Sequence, residues 1–329
     1  MAMALLEVED LSVAFAWPGR DGGRACVLDG VDFTVEEGRS LGLVGESGCG
    51  KSMTALAIMG LLPPGARASG KVLFEGQDLL TKTDRQLSRL RGRSLAMIFQ
   101  EPAMALNPVA TIGAQVAEGA RLHLGLTRAQ AHERAAAMLD RVGLPPARFS
   151  LDRYPHELSG GQCQRVMISM ALICSPKLLI ADEPTTALDV TTQAQILDLL
   201  AEIADEEAMA LLMITHDLAV VAEMTDAMVV MYAGAVAEAG PTPKVFAKMA
   251  HPYTARLFDA MPSIGGSTQD PASQRLRAIP GQVPGPGAPR IGCRFAARCA
   301  VAGARCRAST PPRVEVEPGH LSVCFRPGG

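Results

Sequence analysis

The stretch that most constrains this chain is Gly45-Glu46-Ser47-Gly48-Cys49-Gly50-Lys51-Ser52, which reads G-x-x-x-x-G-K-S. A short apolar run, Leu41 to Val44, precedes it. A helical pattern with Met53, Leu56 and Ala57, stopped at Gly60, follows it. The order is strand, glycine loop, helix. Glycines let successive backbone N–H groups turn inward around an anion, and the new helix points its positive end at the same place. In such a loop Lys51 reaches the outer phosphates of a nucleotide, and the Ser52 hydroxyl ligates Mg²⁺. A glycine-rich turn without a ligand has no need of Lys-Ser at that spacing. A dinucleotide fingerprint is excluded, because Met53 stands where the third glycine of G-x-G-x-x-G would fall.

A chain of 329 residues has room for one large domain or two modest ones. With 48% apolar and 20% charged residues it can bury a sizeable core. The net charge of −3 argues against a nucleic-acid partner, whose phosphates demand clustered Lys and Arg. No apolar run reaches the length of a membrane span, and the N-terminal stretch turns acidic at Glu7, unlike a signal peptide. A cytoplasmic chain is expected, whose eight cysteines are not paired as disulfides.

Residues 5–15 and 27–35 read as strands, with Val31, Phe33 and Val35 alternating against polar residues. Phe15 and Trp17 lie upstream of the phosphate loop, where an aromatic ring can stack on a base; Phe15 is the preferred candidate. Residues 70–76 and 94–99 are further strands, the second ending at Gln100. From Glu101 to Leu158 the pattern turns helical, and Thr127-x-x-Gln130 caps a helix that runs to Gly143. Ser159 and Gln162 have the same capping spacing, so Ser159-Gly160-Gly161-Gln162 opens a second helix with small residues at its mouth, suited to an anion. The run Leu178 to Ala181 is a buried strand ending in Asp182-Glu183-Pro184. Acids at the end of an apolar strand need a partner or a metal. Asp182 can support the Mg²⁺ held by Ser52, and Glu183 can polarise the water that attacks a γ-phosphate. The strand Leu211 to Ile214 leads to His216, at the end of a strand where ligands bind in parallel sheets. A hairpin, Ala227 to Tyr232 and Ala235 to Glu238, is expected to close the domain.

Together these residues resemble the ATP-binding subunits of ABC transporters. The matching motifs come in order: the Walker A loop (Gly45 to Ser52), the Q-loop glutamine Gln100, the signature Leu158 to Gln162, the Walker B strand to Asp182 and Glu183, the D-loop Ala187-Leu188-Asp189, and the switch histidine His216. Within that family the chain is similar to the oligopeptide and dipeptide importer ATPases. That likeness rests on Phe99-Gln100-Glu101-Pro102, Ala105-Leu106-Asn107-Pro108, Tyr154-Pro155-His156-Glu157, His251-Pro252-Tyr253-Thr254 and Ile279-Pro280-Gly281. Cys163, where the family more often carries a long side chain, and Cys49, in place of the usual Ser, are small departures.

The resemblance covers roughly residues 5–262 and implies a fold: an α/β P-loop NTPase with a RecA-like core sheet and N-terminal antiparallel strands. It implies a cassette over 1–262 with a helical subdomain at about 101–170, and a cysteine-rich C-terminal extension over 263–329. It implies catalytic roles for Glu183, His216, Gln100 and Lys51, and Mg²⁺ held by Ser52, Gln100 and Asp182. ATP would touch Gly45, Glu46, Ser47, Gly48, Cys49, Gly50, Lys51, Ser52, Met53, Phe15, Gln100 and Asp182, with Ser159, Gly160, Gly161, Gln162 and Asp189 completing the site across a head-to-tail dimer. The implied partners are a second ABC ATPase subunit as a heterodimer, two membrane permease subunits and an extracytoplasmic substrate-binding protein. The implied place is the cytoplasmic face of the inner membrane and the implied cargo is peptide. Nickel, glutathione or another small solute is the alternative cargo. A soluble ABC ATPase of DNA repair or translation is disfavoured, because there is one cassette and no sustained heptad pattern.

Cys293, Cys299, Cys306 and Cys324 are spaced C-x₅-C-x₆-C-x₁₇-C, unlike paired C-x₂-C zinc sites. Four thiolates can hold zinc or an iron–sulfur cluster. The peptide-importer ATPases carry a similar tail, and the resemblance implies a [4Fe–4S] cluster on these four. A metal would staple a small appendage beyond the Pro/Gly-rich linker Pro280 to Pro289.

Overall fold

Strands buried on both faces of a parallel sheet read as unbroken apolar runs, and strands with one wet face alternate. Both patterns occur in the computed structural model, which describes residues 3–16, 24–186, 188–260, 279–288 and 290–328. In chain order the strands are β1 (Ala4–Ala16), β2 (Arg24–Glu36), β3 (Ser40–Val44), β4 (Ala66–Phe74), β5 (Gln77–Asp78), β6 (Leu95–Ile98), β7 (Leu178–Asp182), β8 (Ala210–Thr215), β9 (Ala227–Tyr232), β10 (Ala235–Pro241), β11 (Arg313–Glu317) and β12 (His320–Val323). Among the described residues they form a four-stranded sheet, β2-β1-β4-β5, and an eight-stranded sheet, β11-β12-β10-β9-β3-β8-β7-β6.

The alternating strands are antiparallel. β1 pairs with β2 and β4 and turns Leu6, Val8, Leu11 and Val13 into the space between the sheets, where they meet the loop-bearing helix at Ala55 and Ile58. The apolar strands are parallel: β3 lies between β8 and β9, and β7 between β6 and β8. On the other face of the large sheet, helices Ile112–Leu124, Arg128–Arg141 and Gly160–Leu172 share one core with β6 and β7. Both expected capping boxes, Thr127 with Gln130 and Ser159 with Gln162, are present and set where the helices Arg128–Arg141 and Gly160–Leu172 begin.

The hairpin β9–β10 does not close the sheet, contrary to expectation. β12 pairs with the outer edge of β10, Glu238 opposite Ser322 and Ala239 opposite Leu321, and β11 pairs with β12. The tail is thus a continuation of the sheet and not only an appendage for a metal to staple. An unpaired β10 would have left a row of backbone donors and acceptors exposed. The pairing is reinforced inside the protein. His320 Nε2 lies 2.6 Å from Glu238 Oε1, both side chains wholly buried, and Glu238 also accepts from the Ala250 and His251 N–H groups at 2.7 and 2.8 Å. Phe295 of the tail packs with Tyr232 and Tyr253, ring centroids 5.2 and 5.4 Å apart. Burying a side chain of that size contributes about 2–3 kcal/mol to docking. Trp17, Ala187 of the D-loop and residues 261–278 lie outside the described residues. Among those described, no helix is long and apolar enough to cross a membrane.

Candidate nucleotide site

The parallel sheet carries the sequence-predicted chemistry to one edge. The glycine loop follows β3, Gln100 follows β6, Asp182 ends β7 and His216 follows β8, all at carboxyl ends. That is where open α/β sheets bind ligands. The loop's shape demands glycine at its two ends. Gly45 has φ 151°, and a Cβ there would lie 2.3 Å from the Met231 carbonyl oxygen. Gly50 has φ 107°, and its Cβ would lie 2.5 Å from Leu28. Gly50 is the N-cap of helix Lys51–Met59 and offers no side chain to its first N–H groups, which leaves them free for an anion. Lys51 is buried, and its Nζ donates to the Gly45 carbonyl at 2.6 Å and the Glu46 carbonyl at 3.2 Å. Cys49 points into the core, its thiol pushed up by burial.

Ser52 Oγ donates to Asp182 Oδ1 at 3.1 Å, so two of the three expected Mg²⁺ supports already touch, while the third, Gln100, bonds Glu183 instead. Asp182 is 4% exposed, and burial raises its carboxyl above the usual range despite the Ser52 bond. An ionised oxygen pair this deep is costly without a cation, and a divalent ion at the loop would supply it. Gln100 Nε2 donates to Glu183 Oε2 at 2.9 Å, and His216 Nδ1 lies 3.2 Å from Glu183 Oε1. Glu183 adopts φ 47° and donates its N–H to the Ile214 carbonyl on β8. A left-handed residue of this kind is strained and is held by its surroundings.

Phe15, half-buried, pairs with Ala25 and Ala66 and packs against the core between the sheets. Ser159, Gly160, Gly161 and Gln162 form the start of helix Gly160–Leu172. Among the described residues their hydrogen bonds close on that helix, and a Cβ on Gly161 would meet Thr192 at 3.0 Å. Asp189 caps helix Val190–Glu206 through Thr192, and those hydrogen bonds hold its carboxyl below the usual range. The four tail cysteines line one small cavity beside His251. Among the described residues, no group of three or more His, Cys, Asp or Glu is set to hold a metal ion.

Sequence reasoning missed three residues here. Thr186 Oγ1 donates to Glu183 Oε2 at 2.9 Å; its place three residues on, in a turn, was the available signal. Tyr253 accepts the Glu46 N–H at 2.9 Å, and Arg298 pairs with the Glu46 carboxylate at 2.7 Å. Both come from more than two hundred residues away, beyond any local pattern.

The sheet, the glycine loop and the acids at the strand ends define a P-loop ATPase of the cassette type. Residues 28–186 match the family described as ABC transporter, and residues 237–306 match the oligopeptide/dipeptide transporter C-terminal region. A Sinorhizobium fredii protein carrying the name peptide ABC transporter ATP-binding protein is 47% identical over 98% of this chain and 95% of its own length. A Brucella abortus protein carrying the name peptide import ATP-binding protein is 48% identical over 97% and 94%. Among solved structures, a dimeric ATP-binding cassette bound to ADP and Pi after hydrolysis superposes with a TM-score of 0.64 at 25% identity, covering 72% of this chain and 98% of its own. The cbiO1 protein of Clostridium perfringens, part of the ABC transporter complex cbiONQ, reaches 0.60 at 30%, covering 75% and 92%. The chain belongs to the ATP-binding proteins of peptide-import ABC transporters, ATPases that couple ATP hydrolysis to transport.

Proposed function

We propose that this chain powers uptake of di- and oligopeptides from the cytoplasmic face of the inner membrane. Its partners would be a second ATPase subunit, two permease subunits and an extracytoplasmic binding protein. The observation that carries the reading is the meeting of Gln100, His216 and Glu183 beside the Ser52–Asp182 pair at one sheet edge. Residues 1–262 would form the cassette, with its helical part at about 101–170, and 263–329 the extension.

In this reading the loop N–H groups and Lys51 hold the ATP phosphates, and Phe15 stacks on the base. Lys51 must leave the Gly45 and Glu46 carbonyls to do so, exchanging neutral acceptors for charged ones, which is favourable. Ser52, Asp182 and Gln100 would hold Mg²⁺, which neutralises phosphate charge. Glu183 orients the attacking water and accepts its proton, held in place by Thr186, and His216 approaches the γ-phosphate. Ser159, Gly160 and Asp189 are exposed, and with Gly161 and Gln162 they would meet the ATP of the partner subunit, so ATP closes a head-to-tail pair. Gln100, bonded to Glu183, links that closure to the permease.

Cys293, Cys299, Cys306 and Cys324 would together hold a [4Fe–4S] cluster and fix the tail's conformation. Their shared cavity and their four-thiol chemistry are the support for a cluster. Iron and acid-labile sulfide in anaerobically purified protein test this; zinc alone, or colourless iron-free protein, refutes it.

The central experiment is ATP hydrolysis by the reconstituted complex with its binding protein across dipeptides, longer peptides and nickel. Stimulation by peptides of one length class is expected. Stimulation by nickel alone would overturn the cargo. Lys51→Ala is expected to lose ATP affinity by at least about tenfold; unchanged binding would overturn the site.

A further inference from the structure

The cysteine-rich tail also reaches the phosphate loop. Arg298, next to Cys299, has a side chain only 4% exposed and pairs with Glu46, the second residue of the loop. Its Nη1 donates to Glu46 Oε2 at 2.7 Å and its Nη2 to Oε1 at 2.9 Å. The remaining donors are also engaged. Nε reaches the Pro280 carbonyl at 2.8 Å, Nη2 the Ile279 carbonyl at 3.2 Å and Nη1 the Tyr232 hydroxyl at 3.3 Å. All of the guanidinium's N–H groups therefore have partners, and its fork matches a carboxylate in two parallel bonds. The backbone of Glu46 is held as well, because its N–H donates to the hydroxyl of the fully buried Tyr253. Tyr253 packs against Tyr232, ring centroids 4.6 Å apart, and against Phe295 of the tail. Glu46 is thus gripped at main chain and side chain by residues outside the loop, and its carbonyl is one of the two that Lys51 contacts.

We propose that Arg298 is a positioning residue for ATP: its two-bonded grip on Glu46 holds the first turn of the phosphate loop in the shape that receives nucleotide, making the tail a strap that sets ATP affinity. This rests on the loop being the ATP site, as proposed above. With its donors engaged, Arg298 acts through Glu46 and not on the phosphates. A loop that is competent only part of the time binds with its affinity reduced by that fraction. Losing the strap therefore weakens binding and leaves the rate at saturation unchanged, because the groups around Glu183 do not contact it.

The test uses the whole transporter complex, with MgATP as the probe, and compares wild type with Arg298→Ala, Arg298→Lys, Glu46→Gln and the Arg298→Ala/Glu46→Gln pair. Arg298→Ala is expected to raise KM for ATP about five- to tenfold with kcat at saturating ATP within about twofold. Arg298→Lys, with one point charge in place of a fork, falls between. The double variant is no worse than Arg298→Ala, because both remove the same contact. An unchanged KM in Arg298→Ala, a fall in kcat alone, or effects that multiply would overturn the proposal. If Arg298→Ala does not fold, Arg298→Lys and Glu46→Gln decide, and a wild-type KM in both overturns it. ATP binding lost in Lys51→Ala but intact in Arg298→Ala refutes the strap alone; binding insensitive to Lys51→Ala refutes the site itself.

Discussion

Glu183 receives three polar side chains, from Gln100, Thr186 and His216, and holds a strained backbone to do so. A carboxamide at this position could still accept from Gln100 and Thr186, so the local frame survives, but it cannot take a proton from water. Glu183→Gln is therefore expected to bind ATP normally, lower turnover by about 100-fold or more, and accumulate an ATP-bound dimer visible by size-exclusion chromatography. Wild-type turnover in that variant would remove Glu183 from the chemistry. Glu183 was legible in the sequence because two acids ending an apolar strand have few structural explanations. Thr186 was less so, since a hydroxyl in a turn is common. Arg298 was invisible, because an arginine in a cysteine-rich stretch carries no mark of the glutamate it meets 252 residues earlier.

The parallel strands were readable for the same reason they are stable: each is an apolar run that water never touches. β11 and β12 were not read, although Arg313-Val314-Glu315-Val316-Glu317 alternates with period two, because the cysteines around them drew the tail toward a metal-bound loop. Their role is set by β10, whose outer edge needs a partner. The buried Glu238–His320 pair makes that partnership specific. Removing one member of a buried charged or polar pair leaves the other uncompensated, at a cost of about 3–5 kcal/mol. His320→Ala is expected to lose stability on that order, seen as a lower denaturant midpoint. A loss below about 1 kcal/mol would mean that the β10–β12 seam contributes little.

For the molecule as a whole, acid is the expected weak point. His251 is buried, and burial lowers its pKa to about 4, opposed by a bond to the Val323 backbone in β12. It caps helix Pro252–Asp259 by accepting the Tyr253 N–H at Nδ1, a bond that requires the neutral ring. An unfolded histidine titrates near 6.5, so the unfolded chain binds a proton that the folded chain refuses. Stability from this group is fully present above about pH 6.5 and falls as the pH drops toward 4, by about 2 kcal/mol between pH 7 and pH 5. Thermal unfolding across that window should show the loss, and His251→Asn, which keeps an acceptor without the titration, should flatten it. An unchanged slope in the variant would assign the acid sensitivity elsewhere.

The pairing of β12 with β10 also has a consequence in time. His320 is made 82 residues after Glu238. At roughly 5–20 residues per second of synthesis, β10 stands with an open edge for about 4–16 s on the ribosome. In that interval the nascent cassette offers a template for strands of other chains.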